Sequence, residues 1–310
     1  MVNHFFSSYF GLGVVAAIIL AFLFPYTAIS LHPFATVFLF FLMFLSGFTI
    51  DWSKLKNFHL YIKEIILGNF LLFIVIPFAL FFLSHALVTD ALYVYGIIFA
   101  ALCPSAIVAP FFTGILKGDK ELAFLLLVSS SLISPFAIPP ILHLLAGDQA
   151  NISSLLLFKD IIIFVPLPLV CAYVTKKYLG IADAFFTRYL PVLNFILLAL
   201  LIFILFGVSM TKLHFNFIQL QELWPLLVIA LIQDFGLLLF LGPLNRSLKN
   251  NEKVVALFNS ISMKNIAIAS TLLLLYAPKA AMAPAMGFVA HALLFTPAIL
   301  RHLLRISLKK

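Results

Sequence analysis

The sequence predicts an all-α polytopic membrane protein with ten transmembrane helices. Of its 310 residues, 64% are hydrophobic and 10% are charged, whereas soluble domains average about 25% charged residues. The apolar residues form unbroken runs, unlike the alternating segments of about ten residues that membrane β-barrels show. Since one span takes about 20 residues, we expect residues 1–310 to form a single transmembrane unit without a separate extramembrane domain.

Ten runs of low polarity, bounded by charged residues or by Gly, Pro and Asn, define the spans in order. They lie near residues 9–27, 33–50, 62–84, 91–116, 121–145, 155–175, 189–209, 223–243, 254–276 and 281–300. The first run lacks the basic residues of a signal peptide and is long enough to span, so we expect it to be a retained helix.

The basic residues predict the orientation. With ten spans, the termini and the loops after even-numbered spans share one side of the membrane, and fifteen of the 19 basic residues lie there. These are Lys54, Lys56, Lys63, Lys117, Lys120, Lys176, Lys177, Arg188, Arg246, Lys249, Lys253, Arg301, Arg305, Lys309 and Lys310. The positive-inside rule then places both termini in the cytoplasm of a multi-pass protein of the cell (inner or plasma) membrane. The net charge of +8 is therefore a topology signal that requires no nucleic acid.

The fourth and ninth spans are interrupted at matching places. The spans divide into two sets of five, residues 1–150 and 151–310, as in transporters built from two inverted repeats. Pro104 and Pro110 break the fourth span, and the polar stretch 259–265 interrupts the ninth. Prolines free backbone carbonyls that hydrocarbon cannot satisfy, so the breaks must face protein, water or a ligand. The paired breaks predict a binding site, with a kinked packing helix as the alternative for the fourth span.

Three ionisable residues inside spans are candidate functional groups. Lys264 lies in the ninth span, where a charge is costly and is functional or paired. Asp234 in the eighth span is the obvious partner, and such a pair would be the minimum equipment for proton coupling. His291 in the tenth span is either a proton relay or a residue hydrogen-bonded to a neighbouring helix. Cys103 and Cys171 also fall in spans, so we expect no disulfide framework, no metal site and no cofactor.

Four segments resemble the bile acid:sodium symporter family. They are 43–49, Cys103–Pro104 followed by residues 117–119, 132–135, and 262–265. The resemblance implies a panel domain from about 9–50 and 155–209. It also implies a core domain from about 62–145 and 223–300, in which the fourth and ninth helices cross at their breaks.

The resemblance also implies sodium sites around this crossing, built from oxygen-bearing side chains. At the matching positions this chain has Leu72, Ala109–Pro110, Ala123, Leu127, Ser260 and Lys264. We therefore expect the Lys264 ammonium to replace a sodium ion. Transport would then be sodium-independent and driven by protons or by the substrate gradient alone. Asn265 survives the comparison and takes the family's cavity-facing role.

The expected cargo is a small organic anion or an amphipathic carboxylate, because Lys264 and the helix N-termini at the breaks favour negative charge. We expect Asn265, Ser105, Ile107, Ser260 and His291 to bind it, and Lys264 and Asp234 to act in coupling. The predicted function is secondary active transport by alternating access. The alternatives are an arsenite- or auxin-type efflux carrier of the same superfamily, and an intramembrane enzyme with a Ser260–Lys264 dyad, which no catalytic motif supports.

Overall fold

The computed structural model describes residues 2–147, 149–150, 152–179, 183–212, 217–236 and 251–294. Within these ranges every regular element is a helix. The helices are α1 Val2–Leu23, α2 Pro25–Leu31, α3 Ala35–Phe48, α4 Ile62–Phe70, α5 Ile76–Leu87, α6 Ala91–Leu102, α7 Ala109–Ile115, α8 Lys120–Ala146, α9 Ser154–Phe164, α10 Pro166–Leu179, α11 Asp183–Lys212, α12 Phe217–Leu231, α13 Glu252–Ser262, α14 Ile266–Tyr276 and α15 Met282–Leu294. Short 3₁₀ segments cover His32–Phe34 and Trp52–Tyr61, and π turns cover Leu71–Val75 and Ile232–Gly236.

Five continuous helical stretches in the described ranges are long and apolar enough to cross a membrane. They are Pro25–Phe48, Trp52–Leu87, Lys120–Ala146, Ser154–Tyr178 and Tyr189–Lys212. The segments predicted as the fourth and ninth spans appear instead as pairs of shorter helices, because each is divided at its break. The chain is thus a multi-pass helical membrane protein. Residues 237–250 and 295–310, including six of the basic residues used for the orientation, lie outside the described residues.

Three helices begin at side chains that satisfy otherwise free backbone N–H groups. Asp90 accepts hydrogen bonds from the N–H groups of the first turn of α6, at 2.9 and 3.3 Å. Asp119 does the same for α8, with both bonds at 3.0 Å. Asn251 accepts one bond of 2.9 Å at the start of α13. These polar caps fix where each apolar helix begins.

The helices pack as two groups, defined here by their contacts. In the first group, α11 packs on α1, α2 and α3, and α10 packs on α3 and α9. In the second group, α6 packs on α5, α8 and α15, and α8 packs on α4, α7 and α13. Helix α12 joins the second group through α15, and α14 joins it through α6 and α15. The groups meet where α3 and α11 contact α14, α1 and α11 contact α15, and α9 contacts α8.

Gly96 allows an especially close approach within the second group. A Cβ atom at this position of α6 would lie 2.1 Å from the carbonyl oxygen of Ala280, which precedes α15. No side chain fits in that space without moving the backbone. Helix α6, which leads into the first break, is therefore held directly against the chain that connects α14 and α15.

Candidate functional site

Both interrupted spans leave the helical conformation where the sequence predicts. Helix α6 ends at Leu102, and Cys103 is extended, with φ −60° and ψ 146°. Helix α13 ends at Ser262, and Met263 is extended, with φ −85° and ψ 94°. Each extended segment runs for a few residues before the next helix begins.

The two extended segments pair with each other. Ser105 and Lys264 form an isolated antiparallel bridge. Two backbone hydrogen bonds join the segments, from Ala106 N to Met263 O (2.7 Å) and from Asn265 N to Pro104 O (2.9 Å). These bonds satisfy backbone groups that would otherwise be unpaired in an apolar environment. The breaks therefore form one buried junction, which holds most of the predicted site residues.

Lys264 projects from this junction into the protein and is 1% exposed. Its Nζ donates a hydrogen bond of 3.1 Å to the carbonyl oxygen of Leu72, in the π turn between α4 and α5. In that turn the N–H of Ile76 bonds to the carbonyl of Leu71, five residues earlier. The next donor in this pattern would be residue 77, which is proline and has no N–H. The Leu72 carbonyl is therefore left free to accept from the ammonium group.

Lys264 and its candidate partner Asp234 do not form an ion pair with each other. Asp234 lies in the π turn after α12, where its Oδ2 is 3.0 Å from Nε2 of His291 on α15. The basic side chain within ion-pair distance of Asp234, among the described residues, is thus a histidine. Sequence proximity gave no indication of this contact, since the two residues lie on different helices far apart in the chain.

Asn259 ties the two broken spans together and was not singled out from the sequence. It is buried in α13, and its Nδ2 donates to the carbonyl oxygen of Ala109 and to Oγ1 of Thr113, both at 2.8 Å. Both acceptors belong to α7, the second half of the other broken span. The polar stretch 259–265 inside a predicted span already indicates that this asparagine needs a hydrogen-bond partner in the protein interior.

The serines of α8 line the junction from a third direction. Ser130 Oγ accepts a hydrogen bond of 3.2 Å from the backbone N–H of Ser105. Ser129 Oγ accepts one of 2.9 Å from Nδ2 of Asn69 in α4. The side-chain oxygens of Ser105 and Ser260 are buried and have no hydrogen-bond partner among the described residues.

Asn265 is the predicted site residue that reaches the other group of helices. Its Nδ2 lies 3.3 Å from the sulfur of Met43 in α3. Ile107 is partly buried in the first break, Pro104 is buried, and Pro110 stands in the first turn of α7. The structure thus brings together Ser105, Lys264 and Asn265 at the junction and places Asp234 and His291 in a separate pair.

Ser260 and Lys264 do not form the catalytic dyad considered above. A Ser/Lys dyad needs the amine within hydrogen-bond reach of the hydroxyl oxygen. Ser260 Oγ has no partner among the described residues, and Lys264 Nζ donates to Leu72 instead. The described residues also hold no cluster of three His, Cys, Asp or Glu side chains that could bind a metal ion.

A multi-pass helical protein in which two broken helices pair around buried polar groups has the architecture of a membrane transporter. Residues 36–215, more than half of the chain, match the family model of the sodium bile acid symporter family, and the chain belongs to this family. The resemblance found in the sequence is therefore confirmed. Membership points to a transporter rather than to an enzyme.

A curated relative is also similar over part of its length. It is the "Uncharacterized sodium-dependent transporter YocS" of Bacillus subtilis (strain 168), which is 25% identical over 177 residues. The match covers 57% of this chain and 55% of the relative. The chain therefore spans about half the length of the curated relative that it matches.

Proposed function

We propose that the protein is a secondary active transporter of a small organic anion or amphipathic carboxylate, working by alternating access. Family membership supports transport, and the buried junction supports the anion. The observation that carries the proposal is Lys264, a cation that is 1% exposed at the pairing of the two breaks. A buried positive charge without an acidic partner among the described residues favours a negatively charged ligand.

The proposed substrate site lies on the Asn265 side of the junction, between the two groups of helices. Asn265 contacts Met43 of the first group, so a ligand bound there would touch both groups. The unpartnered hydroxyls of Ser105 and Ser260 would supply hydrogen bonds, and Ile107 an apolar wall. The first and second groups would be the panel and core domains, each built from both halves of two inverted five-helix repeats.

The proposed membrane topology has ten spans with both termini in the cytoplasm of the cell membrane. Its support remains the distribution of basic residues. Lys279, which lies between the ninth and tenth predicted spans and therefore on the outer side in this topology, pairs with Asp90 at 2.6 Å. Lys253, predicted on the inner side, pairs with Glu64, also at 2.6 Å. Both pairs lie at helix ends, where charged side chains of a membrane protein are expected.

Sodium would not be needed, because the residues at the family's ligand positions do not suit it. Sodium, a hard cation, is expected to require several oxygen ligands. Leu72, Ala109, Ala123 and Leu127 offer no side-chain oxygen, and the Leu72 carbonyl already accepts from Lys264. The ammonium would supply the positive charge in place of the ion. The Bacillus relative is named as a sodium-dependent transporter. The experiment must therefore distinguish sodium-dependent from sodium-independent uptake.

The test is uptake by the full chain reconstituted in phosphatidylcholine–phosphatidylglycerol liposomes, with radiolabelled taurocholate, benzoate and pyruvate as probes. We expect uptake to be the same in sodium and in choline buffers. Lys264→Gln should lower it about tenfold or more, because the loss of one charge-assisted hydrogen bond costs about 1.5–3 kcal/mol. Lys253→Gln, which removes a surface cation, should have less than about a twofold effect.

A second measurement uses the unmodified protein and so does not depend on whether a variant folds. A ligand that binds the native state raises the midpoint of thermal unfolding. We therefore expect sodium chloride and choline chloride at equal ionic strength to give the same midpoint. A rise specific to sodium, or strong sodium stimulation of uptake, would show that Lys264 does not replace the ion. Absence of uptake for every anion probed would contradict the proposed cargo class.

A further inference from the structure

Asp234 and His291 form a second polar site inside the membrane-spanning part of the second group of helices. Their side chains are 6% and 11% exposed, and Oδ2 of Asp234 lies 3.0 Å from Nε2 of His291. The pair joins the π turn Ile232–Gly236 to α15. π turns interrupt regular helices at a cost and often occur at functional sites. The anion-binding site proposed above does not include this pair.

The two groups are close enough for their charges to interact strongly. Oδ2 of Asp234 lies 3.0 Å from Nε2 of His291, although this contact does not have the geometry of a hydrogen bond. With one ring proton the pair has a net charge of −1, and with two it is a neutral imidazolium–carboxylate pair. A change of one charge unit in a buried site is energetically large. Histidine is the side chain that ordinarily exchanges its proton between about pH 5 and 8.

Within the part of the chain that the structure describes, the helices around the pair carry few other titratable groups. On the helices packed against the π turn, the other charged residues are Glu222 of α12 and Glu252 and Lys253 of α13. Glu222 is exposed and lies three turns before Asp234, and Lys253 pairs with Glu64. Helix α15 also packs on α1, α6, α11 and α14, whose titratable residues are His4, Tyr9, Tyr93, Tyr95, Asp183, Arg188, Tyr189, Lys212 and Tyr276. The carboxylate within ion-pair distance of His291, among the described residues, is Asp234.

The pair is connected to the junction by direct helix packing. Helix α15, which carries His291, packs on α6 and on α14. Helix α6 precedes the first break and α14 follows the second. Helix α15 therefore contacts one helix of each broken span. A change in the charge of the pair that shifted α15 would therefore act on the junction through packed side chains.

We propose that Asp234 and His291 form the proton-binding site through which this transporter couples anion uptake to a proton gradient. A proton from one side of the membrane binds the pair, converting its net charge from −1 to 0, and leaves to the other side after the protein has changed conformation. This inference rests on the proposed function and names its coupling ion. It assigns the proton to this pair and not to Lys264.

Coupling is tested with the same liposomes loaded with pyranine, a dye that reports internal pH. Lowering the external pH from about 8 to about 6 should raise taurocholate uptake by the unmodified protein about tenfold and acidify the lumen. Asp234→Asn and His291→Gln should make uptake nearly independent of external pH. Glu222→Gln, which removes the carboxylate of the preceding helix α12, should keep the pH response. A full pH response in Asp234→Asn would overturn the inference.

A titration of the pair is independent of transport. In nanodiscs, spectra of ¹⁵N-histidine-labelled protein contain eight histidines, and His291→Gln identifies the signal of His291. We expect Asp234→Asn to move the midpoint of this signal's pH dependence, because a neighbouring carboxylate favours the charged ring. An unchanged midpoint would overturn the inference even if no anion is transported. Sodium-free uptake without a pH response would overturn it while leaving the proposed function intact.

Discussion

At the scale of single residues, Lys264 is held in the protein interior by one backbone carbonyl. A lysine at the centre of a span costs about 2.5–3.5 kcal/mol on insertion scales. A hydrogen bond to a charged group contributes about 1.5–3 kcal/mol, so the bond to Leu72 offsets much of that cost. The carbonyl is available because Pro77 removes the donor that would otherwise compete for it. The lysine and the proline therefore act together although they lie far apart in the chain.

Pro77→Ala tests this dependence. The variant restores an N–H that can bond within the helix to the Leu72 carbonyl, and alanine gains about 3 kcal/mol of helix propensity over proline. Lys264 loses a bond of similar size, so we expect little change in the thermal midpoint. Uptake should nevertheless fall about tenfold, because the ammonium is no longer fixed at the junction. Uptake at the level of the unmodified protein would contradict the proposed role of the Leu72 carbonyl.

At the scale of elements, the starts of the helices are set by polar caps and ion pairs at the membrane surface. Asp90 begins α6, and its other carboxylate oxygen lies 2.6 Å from Nζ of Lys279, close to the start of α15. Burial by itself would raise the pKa of Asp90. The hydrogen bond and charge of Lys279, with the N–H groups of Tyr93 and Leu92, outweigh it and hold the pKa of Asp90 below its usual value of 3.8.

This pKa direction predicts how stability changes in acid. A carboxylate whose pKa is lowered by folding stabilises the native state above its unfolded pKa of 3.8, and the contribution is lost as the pH falls through the folded pKa. Asp90→Asn keeps the cap but removes the charge. We expect it to lower stability by about 0.5–1 kcal/mol at neutral pH, since both side chains are about one-third exposed. Thermal midpoints should converge with those of the unmodified protein below about pH 4, whereas a constant difference at every pH would contradict the ion pair.

At the scale of the whole molecule, the two groups of helices are joined by helix packing and by specific polar contacts. Asn265 contacts Met43, and Tyr276 of α14 donates a hydrogen bond to Asp160 of α9. By contrast, hydrogen bonds within the second group join Asn259 to α7 and Lys253 to Glu64. Alternating access requires the two groups to move relative to each other. We therefore expect the contact between Tyr276 and Asp160 to break during transport.

A cross-link at this contact tests the expected movement. In a background with Cys103→Ala and Cys171→Ala, Asp160→Cys and Tyr276→Cys are joined with a bis-methanethiosulfonate reagent. Uptake should fall about tenfold and return when the link is reduced, because tethered groups cannot exchange conformations. The control pair, Glu64→Cys with Lys253→Cys, lies within one group and should be linked without loss of uptake. Full activity in protein linked between the groups would show that they move as one body.

The outcome of the sequence predictions depended on whether they rested on local chemistry. The membrane class, the breaks near Pro104 and Met263, and the family were confirmed, because each rests on composition or on a short motif. The ten-span topology, the inverted repeats and the substrate remain predictions. Whether Lys264 contacts Asp234 could not be predicted, because a sequence identifies costly buried charges without indicating how the helices bring them together.

The sequence by itself determined that this is a helical membrane protein, where its helices are interrupted, and which family it belongs to. These properties follow from the hydrophobicity of each segment and from residues, such as proline, that constrain their own backbone. Only the tertiary structure decided that the two breaks pair with each other, that Lys264 binds the Leu72 carbonyl, and that Asp234 faces His291. The reason is that each of these contacts joins segments far apart in the chain, and its formation depends on how the helices pack.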